Sequence, residues 1–208
     1  MTELNQSYRF VALKLCAVFA AVYGFQVFTG FDPGFSASSS PWWKFITSVF
    51  GHSDMEHLFN NLFFIGLFGS IYERFTSSRV FLATFLLSAL FANITAFLFY
   101  ADSAIIGASG GGMGLMAALA VYRPRKIGLA LGVPAPMWFV LVAYVFINVA
   151  GLSALTGVAY EAHLFGLLSG GVIGLWLRDQ PYLEDSEDTE ELENWRERIQ
   201  RWEEKYML

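Results

Sequence analysis

The sequence predicts an all-α polytopic membrane protein, a bundle of six transmembrane helices, and three observations carry that reading. Of its 208 residues, 55% are hydrophobic, 17% aromatic and only 15% charged, whereas soluble domains carry about a quarter charged residues. Six apolar stretches approach the ~20 residues needed to span a bilayer. Basic residues gather at alternate ends of those stretches, the bias expected of cytoplasmic segments.

The first stretch covers residues 10–28. It exceeds a signal-peptide core and no small-residue cleavage site follows, so it reads as a retained helix. The others cover residues 57–72, 80–100, 105–122, 135–155 and 160–177. Several are short for a span, which polar helix ends or local bilayer thinning accommodates. Between the first two lies a long loop, about residues 30–56, containing Trp42-Trp43-Lys44-Phe45-Ile46. Its aromatics suit the membrane–water interface. Pro181 marks a stop after the sixth stretch, and residues 190–206 read as a charged helix with a solvated face. Cys16 is the only cysteine, so no intramolecular disulfide is expected.

Charge sets the orientation. With the N-terminus inside, inner segments hold Arg9, Arg74, Arg79, Arg123, Arg125, Lys126 and Arg178, and outer loops hold only Lys44. A multi-pass cell-membrane protein with cytoplasmic N- and C-termini follows. From Asp179 onward eleven acids face four bases, while the preceding residues carry nine bases and seven acids. The overall net charge of −5 therefore belongs to the tail. The expected organisation is a membrane domain over residues 1–178 and an acidic cytoplasmic tail over 179–208. Neither a cofactor nor a nucleic-acid partner is expected.

In this orientation the second, fourth and sixth helices all enter from the outside. Each opens on polar residues: His57 with Asn61, Ser109, and His163. Polar side chains within a bilayer are costly and usually line a site or pathway. A serine, a histidine able to take its proton, and further imidazole and amide donors are the components of acyl-transfer chemistry. Structural readings stand beside the chemical one. Gly110 and Gly114 form a GxxxG pair that serves close helix packing. Ala162, Gly166, Gly170 and Gly174 form a small face on the sixth helix, expected to meet Gly110 and Gly114 and bring His163 within reach of Ser109, with Leu167 facing away. His163 could equally hydrogen-bond a neighbouring helix for packing alone. His57 and Asn61 share one helix face, but with His52 they make a poor zinc set, and no metal is expected. Glu73 and Arg74 read as a local charge pair.

These residues resemble the rhomboid family of intramembrane serine proteases. The resemblance rests on His52-x4-His57-x3-Asn61, Gly107-x-Ser109-Gly110 and Ala162-His163-x2-Gly166-x3-Gly170, in that order on the second, fourth and sixth helices. Trp43-Lys44 resembles the family's Trp-Arg pair, and Glu73-Arg74 falls at its charged motif. The resemblance implies a six-helix rhomboid-like bundle and a Ser–His dyad without an acidic third member. Ser109 would be the nucleophile and His163 the base, with His57, Asn61 and the Ser109 N–H holding the oxyanion. It also implies transmembrane protein substrates, cleaved near their outer ends. Met113 stands where many members carry an aromatic residue against the imidazole, and a thioether can also pack on a ring. The alternative is a non-catalytic rhomboid-like protein that binds or escorts membrane helices. A small transporter would need a polar path to the inner face, yet these helices turn apolar beyond the cluster.

Overall fold

A computed structural model describes residues 9–36, 38–99, 104–153, 158–179, 194, 197–202 and 204–205. The chain divides into two units, Met1–Arg178 and Asp179–Leu208. In the second, residues 197–202 are helical, and Arg201 reaches the exposed Glu197 one turn back at 3.8 Å. The rest of the charged helix expected over residues 190–206 lies largely outside the described residues.

The first unit is built from helical rods. α1 spans Val11–Thr29, and a short α2, Lys44–Thr47, runs into a 3₁₀ turn at Ser48–Phe50. α3 (Met55–Phe64) passes through a π-helical turn at Ile65–Gly69 into α4 (Ser70–Phe75), which together form one unbroken rod. α5 (Ser78–Phe99), α6 (Ser109–Tyr122), α7 (Met137–Gly151) and α8 (Tyr160–Arg178) follow. By length and composition α1 and α5 can cross a membrane, and α6 and α7 are shorter apolar helices. The outward surface is apolar: Phe28, Leu98, Phe146, Leu168 and Trp176 are all exposed, as a lipid-facing surface requires.

Three helix boundaries differ from the sequence reading. α6 starts at Ser109, because residues 104–108 form an extended approach to it. α7 starts at Met137, because an unanticipated antiparallel hairpin precedes it: β1 (Ile127–Ala130) pairs with β2 (Val133–Pro136). Its two-residue turn, Leu131-Gly132, has positive φ at both positions (51° and 85°), the conformation tight hairpins favour. α7 also ends earlier than expected, at Gly151, with a turn at 152–153 in place of a helix running to 155; residue 100, the expected end of the third helix, lies outside the described residues.

α6 is the buried centre; from Gly110 onward only Met113 and Val121 are not fully buried. Its glycines admit neighbouring helices, and the small face of α8 meets Gly110 and Gly114 as the sequence implied. A Cβ on Gly166, Gly170 or Gly174 would strike the backbone carbonyl of Gly110, Gly114 or Ala118 respectively. The constant four-residue step on both helices shows that α6 and α8 run parallel in register. Gly110 and Gly114 also present their Cα faces to Ala92 and Ser88 of α5. Leu167 is only 4% exposed, so it packs inward rather than facing away; Leu168 is the outward residue, at 61%.

Polar clips fix the periphery. The Glu73 carboxylate is buried and accepts from the N–H groups of Val11 and Ala12, both at 2.9 Å, and from the Ser78 hydroxyl at 2.6 Å. It therefore caps the positive start of α1 instead of forming the local pair expected with Arg74. Gln26 clasps the His52 backbone, donating to its carbonyl at 2.8 Å and accepting from its N–H at 3.1 Å. Asn93 of α5 donates to Phe45 O at 2.7 Å and anchors the loop between α1 and α3. Lys44 bonds to Asp32 O at 2.6 Å within that loop.

Candidate active site

The chain enters α6 through a segment pinned to the loop between α1 and α3. Phe35 and Ile105 exchange backbone hydrogen bonds at 2.9 and 2.7 Å, and Gly107 N–H donates to Ser48 O at 3.0 Å. Gly107 adopts φ +120°, and a Cβ there would lie 2.6 Å from the His57 ring. Only glycine lets this turn close against the imidazole. Beyond it, Ala108 at the N-cap supplies no side-chain cap to α6. Its first-turn N–H groups, Ser109 to Gly111, point out of the helix without intrahelical partners and at the positive end of its dipole.

Ser109 and His163 meet here. Their parent helices are held together by the glycine–carbonyl contacts, and the Ser109 Oγ lies 2.7 Å from His163 Nε2. The other imidazole nitrogen, Nδ1, lies 2.9 Å from Oδ1 of Asn148 on α7. Tyr160 meets the His163 ring edge-on at 6.3 Å between centroids. The ring thus has an aromatic neighbour one turn earlier on its own helix.

His57 and Asn61 occupy the start of α3, which Asp54 caps by accepting from His57 N–H at 2.8 Å. That hydrogen bond, reinforced by the Ser53 hydroxyl, holds the Asp54 carboxyl below its ordinary range. The His57 ring sits against Gly107, with Nδ1 3.0 Å from Ser53 Oγ. Asn61 is buried and spends one amide N–H on His57 O at 2.9 Å. An amide nitrogen has two hydrogens, so one donor remains. His52 lies beneath, edge-on to both Phe19 and His57. Among the described residues, no three His, Cys, Asp or Glu side chains converge as a metal site would need.

The geometry offers an alcohol hydrogen-bonded to an imidazole at the positive end of a helix, with amide and imidazole donors on the neighbouring rod. Asn148 was missed in the sequence. The signal was available: it is an amide in the otherwise apolar run Met137–Gly151, subject to the same argument that singled out Ser109.

The Rhomboid domain family model matches residues 39–180, and the chain belongs to the rhomboid family. Among related sequences, it is 34% identical over 77 residues to rhomboid-like protein 11, chloroplastic, of Arabidopsis thaliana, covering 36% of this chain and 28% of that protein. It is 30% identical over 148 residues to the mitochondrial RHOMBOID-like protein 6 of the same plant, covering 67% and 45%. It is 30% identical over 152 residues to rhomboid-like protease 1 of Toxoplasma gondii, covering 67% and 50%. The chain spans half or less of the length of each of these relatives. The family is one of polytopic, all-helical membrane proteins, and this chain is a membrane protein.

Proposed function

We propose that the chain is an intramembrane serine endopeptidase in which Ser109 attacks and His163 serves as general base. The observation that carries this reading is the 2.7 Å contact between Ser109 Oγ and His163 Nε2 at the N-terminus of α6. Ser109 Oγ adds to the scissile carbonyl carbon while its proton passes to Nε2. The developing oxyanion is held by the first-turn N–H groups of α6, with His57 and Asn61 as side-chain donors. Collapse expels the amine, which takes the proton back from the imidazolium. Water then hydrolyses the acyl-enzyme by the same relay.

The six rods are read as six membrane spans in one domain over residues 1–178, with both termini and the tail over 179–208 cytoplasmic. Helix length supports a submerged site. The 14 residues of α6 rise about 21 Å, short of the ~30 Å hydrocarbon core, so Ser109 lies below the outer surface. A site at that depth favours transmembrane protein segments presented sideways from the bilayer. The test is cleavage of a single-span substrate in proteoliposomes by purified protein. Ser109→Ala and His163→Ala should each abolish cleavage while remaining folded. Binding of the substrate by wild type without cleavage would favour a non-catalytic helix-binding role.

A further inference from the structure

Building on that reading, we infer that Asn148 is a positioning residue. It selects the imidazole tautomer that can accept the Ser109 proton, and it makes α7 the fourth helix of the active site. The argument is one of donors and acceptors. Tyr144 O can only accept, and Asn148 Nδ2 donates to it at 2.7 Å; this fixes which end of the amide faces the ring. Oδ1 therefore points at His163 Nδ1, 2.9 Å away. An oxygen acceptor at that place requires the ring hydrogen on Nδ1. A neutral imidazole has one such hydrogen, so Nε2 is bare and accepts from Ser109 Oγ–H at 2.7 Å.

Every hydrogen in this chain points the same way, from Ser109 to His163 to Asn148 to the α7 backbone. Asn148 is 2% exposed, and a buried amide must find partners for both ends. Its Nδ2 finds one on its own helix, whereas its Oδ1 is committed to the imidazole. An amide also suits the depth. When His163 takes the proton, the carbonyl dipole faces the charged ring without the cost of burying a second ion. It also holds the ring plane toward Ser109, where a displacement of about 1 Å can cost ~10²-fold in rate.

The experiment compares wild type, Asn148→Leu (similar volume, no acceptor) and Asn148→Asp (acceptor kept) on a single-span substrate in proteoliposomes. Asn148→Leu should lose on the order of 10²-fold in kcat with KM unchanged, because the loss falls on the chemical step. Asn148→Asp should recover most of that loss, since a carboxyl oxygen again accepts from Nδ1–H. A wild-type kcat in Asn148→Leu, or no recovery in Asn148→Asp, overturns the inference. ¹⁵N NMR of the His163 ring tests it without any variant. Protonated Nδ1 with bare Nε2 supports it, and the reverse tautomer overturns it. Ser109→Ala run in parallel separates the two readings: cleavage by that variant removes the serine mechanism itself, whatever Asn148 does.

Discussion

A single methyl group on one face of α8 should disable the site, while the same methyl on another face should do nothing. A Cβ built on Gly174 falls 2.6 Å from Ala118 O, where ordinary contact begins at 3.4 Å, and the corresponding contact of Gly166 with Gly110 O is tighter. The obstructing atoms at Gly166 are all backbone, with Gly110 C at 3.1 Å and Cα at 3.2 Å, so no side chain can swing aside. Gly166→Ala must therefore part α6 and α8 by about 1 Å or more, since packed interiors have no slack to absorb it. Gly166 lies one turn below His163. A parting of that size stretches the 2.7 Å Ser109–His163 contact beyond the ~3.2 Å limit of a useful hydrogen bond. The expected loss in turnover is roughly 10²-fold, with a lowered melting temperature. Among the described residues nothing lies within 4 Å of a Cβ on Gly171, so Gly171→Ala should keep full activity and gain up to ~1 kcal/mol from helix propensity. Turnover of a single-span substrate and melting temperature, measured for both variants in one detergent, decide the matter. If Gly166→Ala is as active as Gly171→Ala, the glycine contacts do not set the Ser109–His163 distance.

Three other outcomes are expected. Asn61→Ala should lower turnover by about 10²–10³-fold, the usual effect of losing one oxyanion donor, while Ser109 still reacts with a fluorophosphonate; wild-type turnover would make Asn61 a packing residue. Glu73→Ala strands the Val11 and Ala12 N–H groups and should cost about 1–3 kcal/mol of stability. Thermal unfolding should show that loss, with the rate per folded molecule unchanged; an unaltered melting temperature would refute the capping role. The Asp54 carboxyl is held below its ordinary range by His57 N–H, so its stabilisation is present above the unfolded value of about 4 and lost as pH falls below it. The melting-temperature gap between wild type and Asp54→Ala should hold near neutral pH and close on acidification; a gap that widens toward low pH contradicts this.

What the sequence could show depended on whether a feature is local. Ser109, His163, His57 and Asn61 stand out because a polar atom in an apolar run is conspicuous. Asn148 obeys the same rule, and in the expected orientation the outward-running fifth helix brings it to the same outer depth, but in the last turns of its helix rather than the first. The hairpin over residues 127–136 was hidden because Ile127, Leu131 and Val133 are as apolar as the helix that follows. Only Gly132, Pro134 and Pro136 mark it as something else. Glu73 finds its partners 61 and 62 residues away, a pairing no local pattern encodes, so the adjacent Arg74 was the natural reading. The small face of α8 was legible as a packing surface. It meets Gly110 and Gly114, as the spacing implied; that those two glycines also turn their Cα faces to Ala92 and Ser88 of α5 was not legible, because α5 carries no matching glycine pattern. Leu167 shows the same limit: its burial depends on where the surrounding helices lie, not on its own spacing.

The central claim is that Ser109 is an activated nucleophile, and its reaction with a fluorophosphonate tests this most directly. In detergent-solubilised, folded protein, wild type should acquire one phosphonyl group, located by mass spectrometry on the peptide carrying Ser109. Ser109→Ala should acquire none, and His163→Ala should lose nearly all labelling, because nucleophile and base act as a unit. Folded wild-type protein that stays unlabelled, or labelling that persists in Ser109→Ala, would contradict the account.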